Sequence, residues 1–289
     1  MQTQNPIIVF GYAFPHRKTW DFLSILASSG YTNLTVIAAP RLVLSGAAST
    51  KSNQTYDSAY DVQEICTLLG ISYIEARHDD VDLIASVRAE VGAKLAIISG
   101  ARILKAEVIQ LFPNGVVNFH PGKIPQTSGL DSFYYTIEKD CEMGVTAHLI
   151  DARVDAGHFI LFEKVRIAAE DCMESVREKV YAAQITALRR YLKKILHSGG
   201  DYLPINRPSK NEPLTDDARE NINNLFDDWK YGQIKKQDAL EDQFFKRCAF
   251  GEVDEVMALI SDHNYLLHLK NERGWSALII AAFEHMKSW

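Results

Sequence analysis

Short apolar runs alternate with segments of helical spacing through the first part of the chain. The runs at 7–12, 34–39, 71–74 and 95–99 carry Ile, Val, Leu and Ala with few polar interruptions. That is the pattern of strands buried on both faces. Between them, 17–28 sets Trp20, Phe22, Leu23, Ile25 and Leu26 at helical intervals, and 60–69 does the same with Val62, Ile65, Cys66, Leu68 and Leu69 before Gly70. A further helix is predicted over 81–91. Segment 45–56, rich in Ser, Gly, Ala, Thr and Asn, reads as a mobile loop. Strand and helix in alternation predict a parallel sheet with helices on its faces.

The rhythm changes after a fifth strand at 115–119, which follows the turn at Pro113-Asn114-Gly115. Runs at 143–150 and 158–167 are split by a short loop, which predicts an antiparallel pair. A long helix over 171–197 ends at Gly199-Gly200. The fold class expected is therefore α/β, a Rossmann-like mixed β-sheet flanked by helices, closing near residue 198. Segment 201–219 carries Pro204, Pro208 and Pro213 and reads as a connector that wraps a surface. Beyond it, 244–260 reads as two short helices broken at Gly251. The expected division is a catalytic domain at 1–198, a connector at 199–236 and a small all-α segment at 237–289.

Composition narrows the function classes. With 289 residues, 47% hydrophobic and 24% charged, the chain has the make-up of a globular protein with a substantial core. Its net charge of -6 argues against nucleic acid as a partner, because phosphate binding needs a basic surface. Cys66, Cys141, Cys172 and Cys248 show neither Cys-x-x-Cys nor zinc spacing and read as reduced thiols of a cytoplasmic protein. The N-terminus lacks the charged region of a signal peptide. No apolar run is long enough to span a membrane. His78-Asp79-Asp80 fits the start of a helix better than a metal site, so no metal is expected.

Candidate chemistry centres on Asn118-Phe119-His120-Pro121-Gly122, with Asp155 of Val154-Asp155-Ala156-Gly157 lying 35 residues after His120. Side chains two apart on a strand share a face, so Asn118 and His120 point the same way, and Pro121 forces the chain out of the ladder. An amide can donate to an oxyanion, an imidazole can move a proton near neutral pH, and a carboxylate can hold the imidazole or relay the proton. Asp151 competes with Asp155 for the carboxylate role. The order in which His120 and Asp155 take the proton stays open.

Val116-Val117-Asn118-Phe119-His120-Pro121-Gly122-Lys123-Ile124-Pro125, Gly129, Met143-Gly144-Val145-Thr146-Ala147-His148 and Asp155-Ala156-Gly157 together resemble the catalytic core of the folate-dependent formyltransferases. That family includes glycinamide ribonucleotide, methionyl-tRNA and nucleotide-sugar enzymes. The resemblance is close over 94–165 and extends by architecture over the first 198 residues. It implies the formyltransferase fold, 10-formyltetrahydrofolate as co-substrate and Asn118, His120 and Asp155 as catalytic trio. Gly122 and Lys123 stand where many members have Ser and Leu, and Ala156 replaces a frequent Thr. Ser99-Gly100-Ala101-Arg102-Ile103-Leu104 resembles the family's pterin-binding loop. His16, Arg17 and Lys18 leave the first strand near a helix N-terminus, where a diphosphate is well placed. Gly122, Lys123, Thr127 and Tyr134 are the remaining candidates for contact with a sugar or its phosphates.

The C-terminal segment discriminates among acceptors. Residues 200–289 hold 11 Lys and Arg against 16 Asp and Glu, which speaks against tRNA. Gly274-Trp275-Ser276-Ala277-Leu278-Ile279-Ile280-Ala281-Ala282 resembles a degenerate ankyrin repeat that stops at Trp289 inside an expected helix. A solenoid unit cannot bury its own apolar face, so the segment is expected to lean on the catalytic domain and on a second copy, in a homo-oligomer (dimer or trimer). A formyltransferase core with such a tail resembles the nucleotide-sugar N-formyltransferases of bacterial O-antigen and other surface-polysaccharide synthesis. The acceptor implied is a dTDP-linked amino-dideoxyhexose, dTDP-4-amino-4,6-dideoxyglucose first and the dTDP-3-amino isomer second. A formyltetrahydrofolate hydrolase and an ankyrin-mediated interaction protein are the competing readings.

Overall fold

The computed structural model describes residues 5–41, 60–152, 157–197, 202–206 and 210–287. The loop expected at 45–56 lies outside the described residues. An eight-stranded sheet runs in the order β3-β2-β1-β4-β5-β6-β7-β8. Strands β1 (Ile7–Tyr12), β2 (Leu34–Ala39), β3 (Ser72–Glu75), β4 (Leu95–Ile98) and β5 (Val116–His120) are parallel. Strands β6 (Gly144–Leu149), β7 (Gly157–Lys164) and β8 (Leu203–Ile205) continue it antiparallel.

Apolar runs in β1 and β2 are buried along their length because helices cover both faces of the sheet. One face packs under α1 (Arg17–Ser28), α2 (Val62–Leu69) and α6 (Met173–His197), around Phe22, Leu26, Val36, Phe119 and Leu188. The other packs under α3 (Val81–Val91) and α4 (Ala106–Gln110), around Phe10, Ile37, Ile84 and Val108. Helix starts follow local chemistry. Asp61 accepts from the Glu64 N–H to open α2, and Asp80 accepts from the Leu83 N–H to open α3. His78 is buried with Nε2 donating to the Ile37 carbonyl at 3.0 Å, and Asp79 pairs with Arg77. These side chains cap and brace the start of α3. Among the described residues no group of three or more His, Cys, Asp or Glu is placed to hold a metal.

The chain departs from the expected boundaries at two places. Strand β8 pairs with β7 through Gly157 and Ile205, so the sheet continues past residue 198 into the expected connector. After α7 (Asp216–Asn223), helix α8 runs from Phe226 to Phe250, straight through the boundary expected at 236. Its first half joins the main core through Phe226 and Trp229, while Phe244 and Cys248 build a small separate core with Leu266. Polar bonds fix that first half: Trp229 Nε1 donates to the Cys141 carbonyl, and the Gln237 amide bonds both backbone groups of Ile167. Gly251 ends α8; α9 (Val253–Asp262), a 3-10 turn and α10 (Ala277–Lys287) follow. The likeness of this segment to an ankyrin repeat rests on its sequence. Between β5 and β6, α5 (Ser132–Glu138) completes the fold.

Candidate active site

The sheet order reverses between β1 and β4, which opens a crevice at the carboxyl ends of these strands. The Tyr12–Lys18 stretch, the Ser99–Leu104 loop and the end of β5 all reach that edge. Asn118 and His120 share one face of β5 and line a cavity of about 500 Å³ with Ala101, Arg102, Ile103, Leu104 and Asp151. Val117 and Phe119, on the opposite face, are in the core under α1 and α6. The same strand therefore anchors the fold with one face and presents its chemistry with the other.

Each polar group of the pair is held from behind. Asn118 sits opposite His148 in the β5–β6 register, with Nδ2 3.4 Å from His148 Nε2. His120 Nε2–H donates to the Thr127 carbonyl at 2.9 Å. In a neutral ring this bond puts the proton on Nε2 and makes Nδ1 the accepting nitrogen. The loop that brings Thr127 back is itself braced: Thr146 donates to the Gly122 carbonyl and accepts from the Ile124 N–H. Asp155 lies outside the described residues, whereas Asp151 lines the cavity.

A second cavity, about 770 Å³, is lined by His16, Arg17, Lys18, Pro121, Arg177 and Gln184, among others. Pro121 lines both cavities, so the end of β5 separates them. Lys18 Nζ donates to the Phe119 carbonyl at 3.4 Å and lies over the Phe22 ring. Among the described residues no carboxylate pairs with it, and burial pulls its pKa down to about 7. Burial also lowers His16 to about 4, with Lys18 adding to the effect; its Nδ1 holds Thr19 at the start of α1. His16 is thus a neutral helix cap, and Arg17 is engaged by Glu178 at 2.9 Å. Arg177 lies 4.1 Å over Phe133 with no carboxylate partner among the described residues.

The formyl transferase family profile matches residues 23–192. The chain belongs to the formyl transferase family. It is 32% identical over 100 residues to a phosphoribosylglycinamide formyltransferase of Haemophilus influenzae, covering 34% of this chain and 47% of that protein. The matched stretch spans less than half of the length of such curated relatives. Among solved structures, a 4-N formyltransferase from Francisella tularensis superposes with a TM-score of 0.51 at 15% identity, over 75% of this chain and 86% of that one. A formyltetrahydrofolate deformylase from Pseudomonas syringae gives 0.53 at 14% identity, over 71% and 67%. At such identities these likenesses establish the fold.

The six residues expected to grip a pterin divide into two sets. Ala101, Arg102, Ile103 and Leu104 line the first cavity, and Ile103 is 74% exposed there. Ser99 is buried and bonds Thr19 and the Phe10 carbonyl, fastening the loop to β1 and α1. Gly100 packs against the rings of His16 and Tyr12, 2.7–2.9 Å from where a Cβ would lie. Ser99 and Gly100 therefore build the loop without lining the cavity. Lys123 turns away to Glu142 and lines a different cavity with Phe159 and Arg190. Tyr134 packs on the core beside Arg177 and lines neither cavity, and Thr127 enters through its carbonyl. His148, Arg177 and the stretch from Lys210 to Pro213 were not singled out from the sequence. Only His148 had a signal there, in the run that carries the family resemblance.

Proposed function

We propose that the chain transfers the formyl group of 10-formyltetrahydrofolate to the amine of a dTDP-linked amino-dideoxyhexose, with dTDP-4-amino-4,6-dideoxyglucose the first choice. The observation that carries this reading is the wall shared by the two cavities at Pro121. A transferase needs donor and acceptor sites that meet at the reacting groups; Asn118 and His120 line the first cavity, and His120 directly precedes the shared Pro121. The first cavity suits a pterin: Ile98, Ile103, Leu104, Ile109 and Ile150 give it an apolar lining, with polar groups from Arg102, Asn118 and Asp151. The second offers an anionic acceptor Lys18, Arg177 and the N-terminus of α1, beside Glu174 and a Glu178 engaged by Arg17. The acidic tail supports a nucleotide sugar over tRNA.

The chemistry follows from these placements. The acceptor nitrogen attacks the formyl carbon, a C–N bond forms, and the carbonyl oxygen becomes an oxyanion that accepts from Asn118 Nδ2–H. His120 takes the amine proton at Nδ1 while Nε2 stays on the Thr127 carbonyl. Asp155 holds or relays that proton. Collapse breaks the bond to the folate nitrogen, which leaves with a proton as tetrahydrofolate, and the product is a formamido sugar.

The test is incubation with 10-formyltetrahydrofolate and amino sugars linked to dTDP, UDP and GDP, with glycinamide ribonucleotide alongside. Mass spectrometry reads the gain of one formyl group. Formate released with no amine consumed would replace this reading with a hydrolase. A product on glycinamide ribonucleotide alone would replace the sugar.

A further inference from the structure

The cavity that holds Asn118 and His120 has a wall from outside the matched family stretch. Lys210, Asn211, Glu212 and Pro213 line it, although the family profile ends at residue 192. Asn211 bridges to Gly129, and its N–H donates to the Ser128 carbonyl at 2.7 Å. Gly129 has φ +99, and a Cβ there would lie 2.6 Å from the Asn211 carbonyl oxygen, so glycine permits the close approach. Asp131 accepts from the Leu214 N–H at 2.9 Å, and Arg219 of α7 donates to both of its oxygens at 3.0 and 3.2 Å. Lys139 takes Asn211 Oδ1 at 2.6 Å, and the Tyr135 hydroxyl donates to the Glu212 carbonyl. Asn211 Nδ2 is buried with no partner among the described residues, which is unusual for an amide donor.

We propose that residues 210–214 form a strap that walls the donor cavity, and that Arg219, acting through Asp131, is a positioning residue for donor binding. This rests on reading that cavity as the folate site. The strap adds groups the catalytic domain does not supply, and it is tied at Gly129 and Asp131, both of which also line the cavity. Arg219 does not line it. Its other contacts are Asp216, which is 93% exposed, and the Tyr134 ring at 5.9 Å, so the bonds to Asp131 and to Asp216 can be separated by mutation.

The experiment is calorimetric binding of 5-formyltetrahydrofolate, the stable isomer of the donor, to the full chain. Arg219→Ala should weaken binding about fivefold, the scale of losing a partly buried ion pair. Arg219→Lys should recover most of that loss, and Asp216→Asn should leave the affinity at the wild-type value. On the wild type, ligand should slow hydrogen exchange at the amides of Asn211 and Leu214, a readout that stands even where Arg219→Ala fails to fold. Unchanged affinity in Arg219→Ala, or unchanged exchange at both amides, overturns the strap and leaves the cavity reading standing. A wild-type chain that binds no folate overturns both.

Discussion

Gly122 leaves the space that Thr127 fills: a Cβ built on Gly122 would lie 2.4 Å from Thr127 Oγ1 and 2.9 Å from His120 Nε2. Many relatives carry Ser at this position by the resemblance stated above, so the loop here is built differently around the same imidazole. Gly122→Ser should fold, displace the ring from the Thr127 carbonyl and lower turnover by about tenfold or more, since small misplacements of a reacting group are costly. Thr127→Ala should be mild, and the double variant should recover part of the activity, since the close contact with His120 remains. Additive losses in the double-mutant cycle would show that the two positions do not compete for the same space.

Asn118 is expected to act only once charge develops. Its replacement by Ala should lower turnover by ~100-fold or more, with folate affinity little changed. Steady-state kinetics beside a direct binding measurement separate the two quantities. Near-normal turnover would remove Asn118 from the chemistry.

The carboxylate role divides between two aspartates. Asp151 lines the cavity, while the resemblance assigns the role to Asp155. Asp155→Asn should leave melting temperature unchanged and turnover nearly abolished, and Asp151→Asn should keep most of its activity. The reverse result would hand the role to Asp151.

The parts of this molecule legible in sequence are those where local pattern and tertiary environment agree. Strands β1 and β2 declare themselves because burial on both faces leaves little room for polar residues, Thr35 being the one in β2. Asn118 and His120 declare themselves because a strand period of two puts them together and Pro121 stops the ladder. Strand β8 does not, being three residues long with Pro204 in it and two of them exposed. Helix α5 follows Asp131, a left-handed residue whose carboxylate is taken by Leu214 and Arg219 and makes no cap bond, so the cap residue the sequence offers there does not act as one. Lys123 follows soon after β5, yet Glu142, brought near by β6, captures it; nothing local tells which way it turns. Arg177 lies within α6, where the sequence shows a charge like its neighbours and only the packing of α6 beside α1 reveals a cavity wall.

Lys18 gives the second cavity a titration signature. Burial holds its pKa at about 7 against the usual 10.5. Between these values the unfolded chain keeps a proton that the folded chain releases, so this group makes stability rise with pH across that window. A bound phosphate favours the charged amine and reverses the release. Binding of dTDP at pH 8 should therefore take up protons, seen as a calorimetric enthalpy that depends on the buffer's ionisation heat. The uptake should shrink in Lys18→Met. Equal uptake in both proteins would place the anion elsewhere.

Glu142 ties the loop after β5 to the sheet through Lys123 and Lys164 and has its own pH window. Burial acts to raise its pKa, but hydrogen bonds from Lys123 and Lys164 outweigh it and hold the carboxyl down at about 2, against an ordinary 4.5. A carboxyl depressed in the folded state stabilises fully above its unfolded pKa and loses that contribution as pH falls through the window down to the folded value. Glu142→Gln should therefore melt lower than the wild type at pH 7, and the two melting curves should converge as pH falls from about 4.5 toward 2. Lys123 also anchors the turn that returns to His120, because the Thr127 N–H donates to the Lys123 carbonyl at 2.9 Å. The variant should then lose turnover as well as stability at neutral pH. Melting curves that stay parallel down to pH 2 would show that the ion pair contributes nothing to the fold. Full turnover in the variant would show that the loop is held without it.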